Sequence, residues 1–202
     1  MKADRLLICD MEFAGNNQFD AAESIYFAAN SDSTEGILQM AAGIISRKKI
    51  VSVFLIVHGI SVTSIESYEG RSREGGYSLP NKVGGFGIYL GADIINVTND
   101  FLFRKWANLG LRNIVFLSCS AASSDPKKVG GWGDGKLMLQ NIANASGATV
   151  YSSDATQYID GDWEGDMFRF RPQSTSRGSR VLKPYPAILN RTFASYNDSI
   201  QE

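Results

Sequence analysis

The sequence predicts an α/β fold in which a largely parallel sheet is covered by helices. Two observations carry the prediction. Short apolar runs at 6–9, 50–57, 113–118 and 148–152 have the length of strands, and the two longest read as strands buried on both faces. Segments with helical periodicity fall between them, and such alternation requires crossover connections, hence parallel strands. The chain of 202 residues is 44% hydrophobic and 20% charged, so it reads as one domain, 1–202, with 170–202 as a peripheral tail.

Each element has a local reason. Residues 6–9 form the first strand. Asp32, followed three residues later by Glu35, looks like a capping box that opens a helix through Ile37, Met40, Ala41 and Ile44, with Lys48 and Lys49 suited to its negative end. The run 50–57 is apolar apart from Ser52 and leads directly into His58-Gly59. Residues 64–87 are polar and glycine-rich without a helical period, which reads as a long loop or irregular hairpin, and 86–90 as a short strand. Thr98 is placed to cap a helix carrying Phe101, Leu102, Trp106 and Leu109, closed by Gly110. The run 113–118 is a second buried strand ending at Cys119. After a glycine-rich loop, 137–145 forms an amphipathic helix stopped at Gly147, and 148–152 a further strand. The alternation at 163–170 suits an edge strand, and the last stretch is expected to wrap the surface.

Composition excludes several chemistries. Twenty basic and 21 acidic side chains leave a formal charge of −1, so no electrostatic argument favours nucleic acid or an anionic membrane as partner. Two cysteines, Cys9 and Cys119, cannot build a disulfide scaffold, and one histidine, His58, cannot build a multi-histidine metal centre. No metal and no cofactor is expected. The N-terminal apolar run is too short and too soon broken by charge for a signal peptide, and no stretch reaches the ~20 apolar residues of a membrane span. The expected location is the reducing cytoplasm.

One glycine motif is a decoy. The run from Gly130 to Lys136, GGWGDGK, approaches a phosphate-binding loop, but Leu137 stands where a Ser or Thr must hold magnesium. The residues before it, DPKKV, also fail to supply the buried strand that such a loop needs.

The informative pattern is positional. The two most apolar strands each end in a residue of catalytic type, His58 and Cys119. Ligands collect at the carboxyl ends of strands in an open parallel sheet, so both side chains are expected on one edge. A thiolate attacking a carbonyl carbon, with an imidazole handling the protons, is a standard nucleophile-and-base set. Gly59 beside His58, and Ser118, Ser120, Ala121 and Ala122 around Cys119, leave room for a substrate backbone and for oxyanion donors. Cys9 closes a strand next to Asp10, a setting that does not favour a thiolate, and reads as structural.

With His-Gly at the end of one apolar strand and a cysteine among small residues ending another 61 positions later (119 − 58), the chain resembles the caspase/gingipain/legumain clan of cysteine peptidases. The segment GATVYSSDATQYIDGDWEG, 147–165, is similar to the clan's strand and groove-bordering loop, and to the end of a caspase-like domain of large bacterial surface proteins. The resemblance covers 50–170. It implies a three-layer caspase-like (flavodoxin-like) fold and a cysteine endopeptidase acting on a peptide or protein through a thioester acyl-enzyme. Cys119 would then be the nucleophile, His58 the general acid/base, and the N–H groups of Gly59 and Cys119 the oxyanion donors. Ser153, Asp154 and Trp163 would lie along the groove, with Asp154 or Asp162 forming an acidic pocket for a basic substrate residue. Leu117-Ser118 departs from the acidic or glutamine residue and alanine that precede the nucleophile in many members. The alternative reading is therefore a catalytically silent caspase-like binding module, with Tyr68, Tyr77, Trp132 and Trp163 as contacts.

Overall fold

Strands whose side chains are apolar on both faces occupy the middle of the sheet, where no other residue type could be buried twice over. The computed structural model describes residues 4–16, 21–28, 31–62, 83–124, 133–155, 157, 163–174 and 177–189. In chain order its elements are β1 (Arg5–Asp10), a 3-10 segment (Met11–Asn16), β2 (Glu23–Phe27), α1 (Thr34–Lys48), β3 (Ser52–Ile56), β4 (Gly59–Val62), β5 (Val83–Leu90) and β6 (Asp93–Ile95). A 3-10 segment (Asp100–Trp106) follows, then β7 (Asn113–Leu117), α2 (Gly135–Ser146), β8 (Thr149–Ser153), β9 (Met167–Phe170), β10 (Ser179–Val181) and a last 3-10 turn (Ala187–Leu189).

The main sheet has seven strands in the order β10-β9-β8-β7-β3-β1-β2. β2, β1, β3, β7 and β8 run parallel, and β9 and β10 are antiparallel additions. One face packs Leu6, Ile8, Val53, Leu55, Ile114 and Phe116 against α1, α2 and the segment Asp100–Trp106. The Trp106 indole N–H donates to the Leu38 carbonyl of α1 at 3.0 Å, so this buried ring locks one helical element to another. The opposite face packs Phe54, Ile56, Val115 and Leu117 against Trp163 and Leu189, with Phe13 of the first 3-10 segment beside them. The result is an α/β fold, a mostly parallel sheet flanked by helical elements.

Several elements differ in detail from the sequence reading. The cap of α1 is Ser33, whose hydroxyl oxygen accepts from the Gly36 N–H at 3.0 Å, while the Asp32 carboxylate turns back to the Ala28 N–H at 2.8 Å. Met40 is 57% exposed, and the buried stripe runs through Ile37, Leu38, Ala41, Ala42 and Ile45. Thr98 caps nothing: its N–H and hydroxyl both bond the Asn96 side chain, and the helix expected there is the shorter 3-10 segment. β9 lies between β8 and β10 and is not the edge. β4, β5 and β6 form a separate three-stranded antiparallel sheet.

Asp100 gives the fold a pH dependence. Its carboxyl is 6% exposed, and burial pushes it up from an ordinary 3.8 to about 6, against the opposing effect of hydrogen bonds from Asn141 Nδ2, at 2.8 Å, and the Phe101 N–H. A carboxyl raised on folding contributes its full stability below the unfolded value and loses it as pH rises through about 6. Asp100→Asn, which can still accept from Asn141, should therefore be more stable than the parent at pH 7.5, by about 1–2 kcal/mol. In thermal melts the difference should close as pH falls toward 4.

Candidate active site

The register of two neighbouring strands sets the site. β3 and β7 pair from Ser52 with Asn113 to Ile56 with Leu117, an offset of 61 residues (113 − 52) that also separates His58 from Cys119. Two residues beyond the last pair, histidine and cysteine thus continue the same rung at the carboxyl edge. Parallel neighbours lie about 4.8 Å apart, and side chains two positions along a strand share a face. Phe54, Ile56 and His58 form one row, and Val115, Leu117 and Cys119 the next. The Val57 N–H still reaches the Leu117 carbonyl at 3.4 Å, so the pairing persists to the threshold of the site.

Gly59 brings the two strand ends together. A Cβ there would lie 1.8 Å from the Cys119 carbonyl oxygen and 2.9 Å from its nitrogen, so the Gly59 backbone rests directly on the Cys119 peptide. On its other side the chain is held by the Tyr89 N–H, which donates to the His58 carbonyl at 2.8 Å. The turn after Cys119 is fastened from β8. Ser120, at φ 53, donates its N–H to the Ala155 carbonyl at 2.8 Å, and the Ala122 N–H reaches the Ser153 carbonyl at 3.0 Å. This tight turn suits the small residues at 120–122, all of them buried.

His58 and Cys119 line one cleft of about 110 Å³. Its remaining walls are Ile56 and Leu117 from the two strands, with Val57, Phe13 and Gln157. Cys119 is half-buried, and its thiol lies 3.8 Å from the Gln157 carbonyl. The His58 side chain is 42% exposed, with Nε2 2.9 Å from Glu12 Oε2 and its ring tilted against Phe13 at 4.4 Å between centroids. Glu12 and Phe13 come from the 3-10 segment that follows β1, the strand next to β3. Neither was singled out in the sequence, because 46 residues separate Glu12 from its partner. The signal for them is the same as for the dyad: they leave the carboxyl end of a central parallel strand.

Other sequence candidates sit elsewhere. Ser153 is fully buried and its hydroxyl donates to the Glu164 carbonyl. Asp154 is half-buried, and its Oδ1 accepts from the Asp166 N–H at 2.8 Å. Gly165, at φ +71, allows this turn, since a Cβ there would meet that oxygen at 2.6 Å. Trp163 is 8% exposed and donates from Nε1 to the Leu189 carbonyl at 2.8 Å, so it belongs to the core of this face. None of the three is among the described residues lining the cleft. Asp162, Tyr68, Tyr77 and Trp132 lie outside the described residues, as does most of the long loop read at 64–87. Cys9 is fully buried, with its thiol 3.3 Å from the Asp10 carbonyl.

At the decoy motif, Asp134 caps α2 by accepting from the Leu137 N–H at 3.1 Å and pairs with Arg177 at 2.6 Å. A carboxylate held at this helix N-terminus opposes a phosphate there. Among the described residues no group of three His, Cys, Asp or Glu side chains is placed to hold a metal ion, and no helix is long and apolar enough to cross a membrane. In comparisons with protein-family models, curated proteins and solved structures, nothing matches the chain.

Proposed function

We propose that the protein is a cysteine endopeptidase of caspase-like design, working through a Cys119/His58 dyad. The observation that carries this reading is the shared cleft: the chain's only histidine and its one accessible thiol both line it, at the carboxyl ends of two register-matched parallel strands. The Cys119 sulfur attacks the scissile carbonyl carbon as thiolate, and the carbonyl π electrons move to oxygen. The N–H groups of Gly59 and Cys119 stabilise that oxyanion, the role that the caspase-like resemblance implies for them. His58 gives its proton to the departing amine as the C–N bond breaks, leaving a thioester on Cys119. Water, giving a proton to His58, then hydrolyses the thioester and returns the thiol. A peptide or protein is the substrate. The strand order and the small antiparallel sheet inserted after the histidine strand fit the caspase-like resemblance.

The test is Cys119-dependent turnover. Fluorogenic peptides should be cleaved by the parent and by Cys9→Ala but not by Cys119→Ala, and iodoacetamide should modify Cys119 of the folded protein while sparing buried Cys9. Labelling at Cys119 without cleavage of any peptide would leave the silent binding module as the reading.

A further inference from the structure

The walls of the cleft carry a specificity, an inference that rests on the peptidase reading. Immediately below His58 and Cys119 the same two rows present Ile56 and Leu117, buried to 2% and 7% exposure, with Phe13 and Val57 completing the wall. Among the described residues the one polar side chain lining it besides the dyad is Gln157, and its amide is already committed. Its Nε2 donates to the Ala155 carbonyl at 3.1 Å and to the Glu164 carbonyl at 2.9 Å, while Oε1 accepts from the Glu164 N–H at 3.3 Å. Among the described residues no charged side chain lines the cleft. Glu12 stands outside it on His58, and the Asp154 carboxylate is engaged by the Asp166 N–H.

We infer that this cleft receives an uncharged aliphatic side chain of the substrate, of valine or leucine size, at the residue preceding the scissile bond. A charged side chain would lose its water and find no partner among these walls. The volume sets the upper limit: a dry apolar cavity of roughly 150 Å³ takes a benzene ring, and the cleft's 110 Å³ is smaller. Of the two acidic residues that the sequence offered for basic selectivity, Asp154 is turned to the Asp166 N–H and is not among the described lining residues, and Asp162 lies outside the described residues.

The experiment is a panel of fluorogenic peptides identical except for Ala, Val, Leu, Phe, Asn, Asp, Lys or Arg before the bond, assayed with the parent and with Cys119→Ala as the blank. Val and Leu peptides should exceed the Asp, Lys and Arg peptides in kcat/KM by about 10-fold or more, within the range that a hydrophobic pocket discriminates. Phe13→Ala, which widens the cleft, should improve the Phe peptide relative to the Val peptide. Cys119-dependent cleavage led by Asp, Asn, Lys or Arg would overturn the pocket assignment and leave the dyad standing. Absence of Cys119-dependent cleavage across the whole panel would overturn both.

Discussion

Gly59→Ala should lower stability by about 3 kcal/mol and reduce peptidase activity by about 100-fold in whatever fraction remains folded. The new methyl group would sit 1.8 Å from the Cys119 carbonyl oxygen, where carbon and oxygen ordinarily stop at about 3.3 Å. The obstacle is backbone on both sides, so no side-chain rotation relieves it. The Gly59 strand is tied through the Tyr89 to His58 hydrogen bond, and the Cys119 turn through Ser120 and Ala122 to β8 and the residues after it. Separating them by about 1.5 Å must break one of these ties and move the imidazole away from the thiol. Urea titration gives the stability change, and kcat/KM on the best peptide gives the second number. Gly43→Ala is the control. Its Cβ would meet nothing within 4 Å on an exposed turn of α1, and removal of a mid-helix glycine should stabilise by about 0.5–1 kcal/mol.

The extent to which the sequence displayed this site follows from where its information lies. Strands buried on both faces announce themselves as apolar runs, so β1, β3, β7 and β8 were legible to within a residue or two. With β3 and β7 recognised, the edge from which His58 and Cys119 emerge was legible, whereas the pairing that sets the two strands side by side in equal register is given by the structure. Strands that bury only one face, or none, leave weaker traces. β2 buries only Ile25 and Phe27 and exposes Tyr26 and Ser24, and β10 has just three residues, none buried. The capping errors have a different origin: Asp32 and Ser33 are both good caps in adjacent positions, and composition does not decide between them. What decides is the local turn before the helix, where the Asp32 carboxylate serves the Ala28 N–H and leaves the helix to Ser33.

Groove residues were the hardest to read. Ser153, Asp154 and Trp163 are polar or aromatic residues near the right strand end, yet each side chain hydrogen-bonds to backbone: Ser153 and Trp163 to the Glu164 and Leu189 carbonyls, Asp154 to the Asp166 N–H. A turn that reverses β8 into antiparallel β9 leaves peptide groups without ladder partners, and buried groups of that kind must be satisfied. Serine and aspartate at 153 and 154 meet that need. The same residue types would be required of a polar substrate groove, which is why sequence alone could not separate the two uses.

His58→Ala should cut kcat/KM by about 10²–10⁴-fold while leaving stability nearly unchanged and Cys119 still open to iodoacetamide. The magnitude is that of a lost general acid: without an imidazole the amine must leave unprotonated, and the thiol must ionise unaided. Stability should hold because the side chain is 42% exposed and its interactions, with Glu12 and Phe13, lie at the surface. The result is unusually clean in this chain, since no second histidine can take over the proton. Glu12→Gln separates orientation from proton transfer. Glutamine keeps an oxygen within reach of Nε2 but carries no charge to stabilise the imidazolium formed when the thiol ionises, so kcat/KM should fall by only about 10-fold. The loss should be larger in kcat than in KM, because Glu12 touches His58 and not the cleft that binds the substrate side chain. Equal losses in the two variants would mean that the carboxylate does more than hold the ring, and no loss in either would remove His58 from the chemistry altogether.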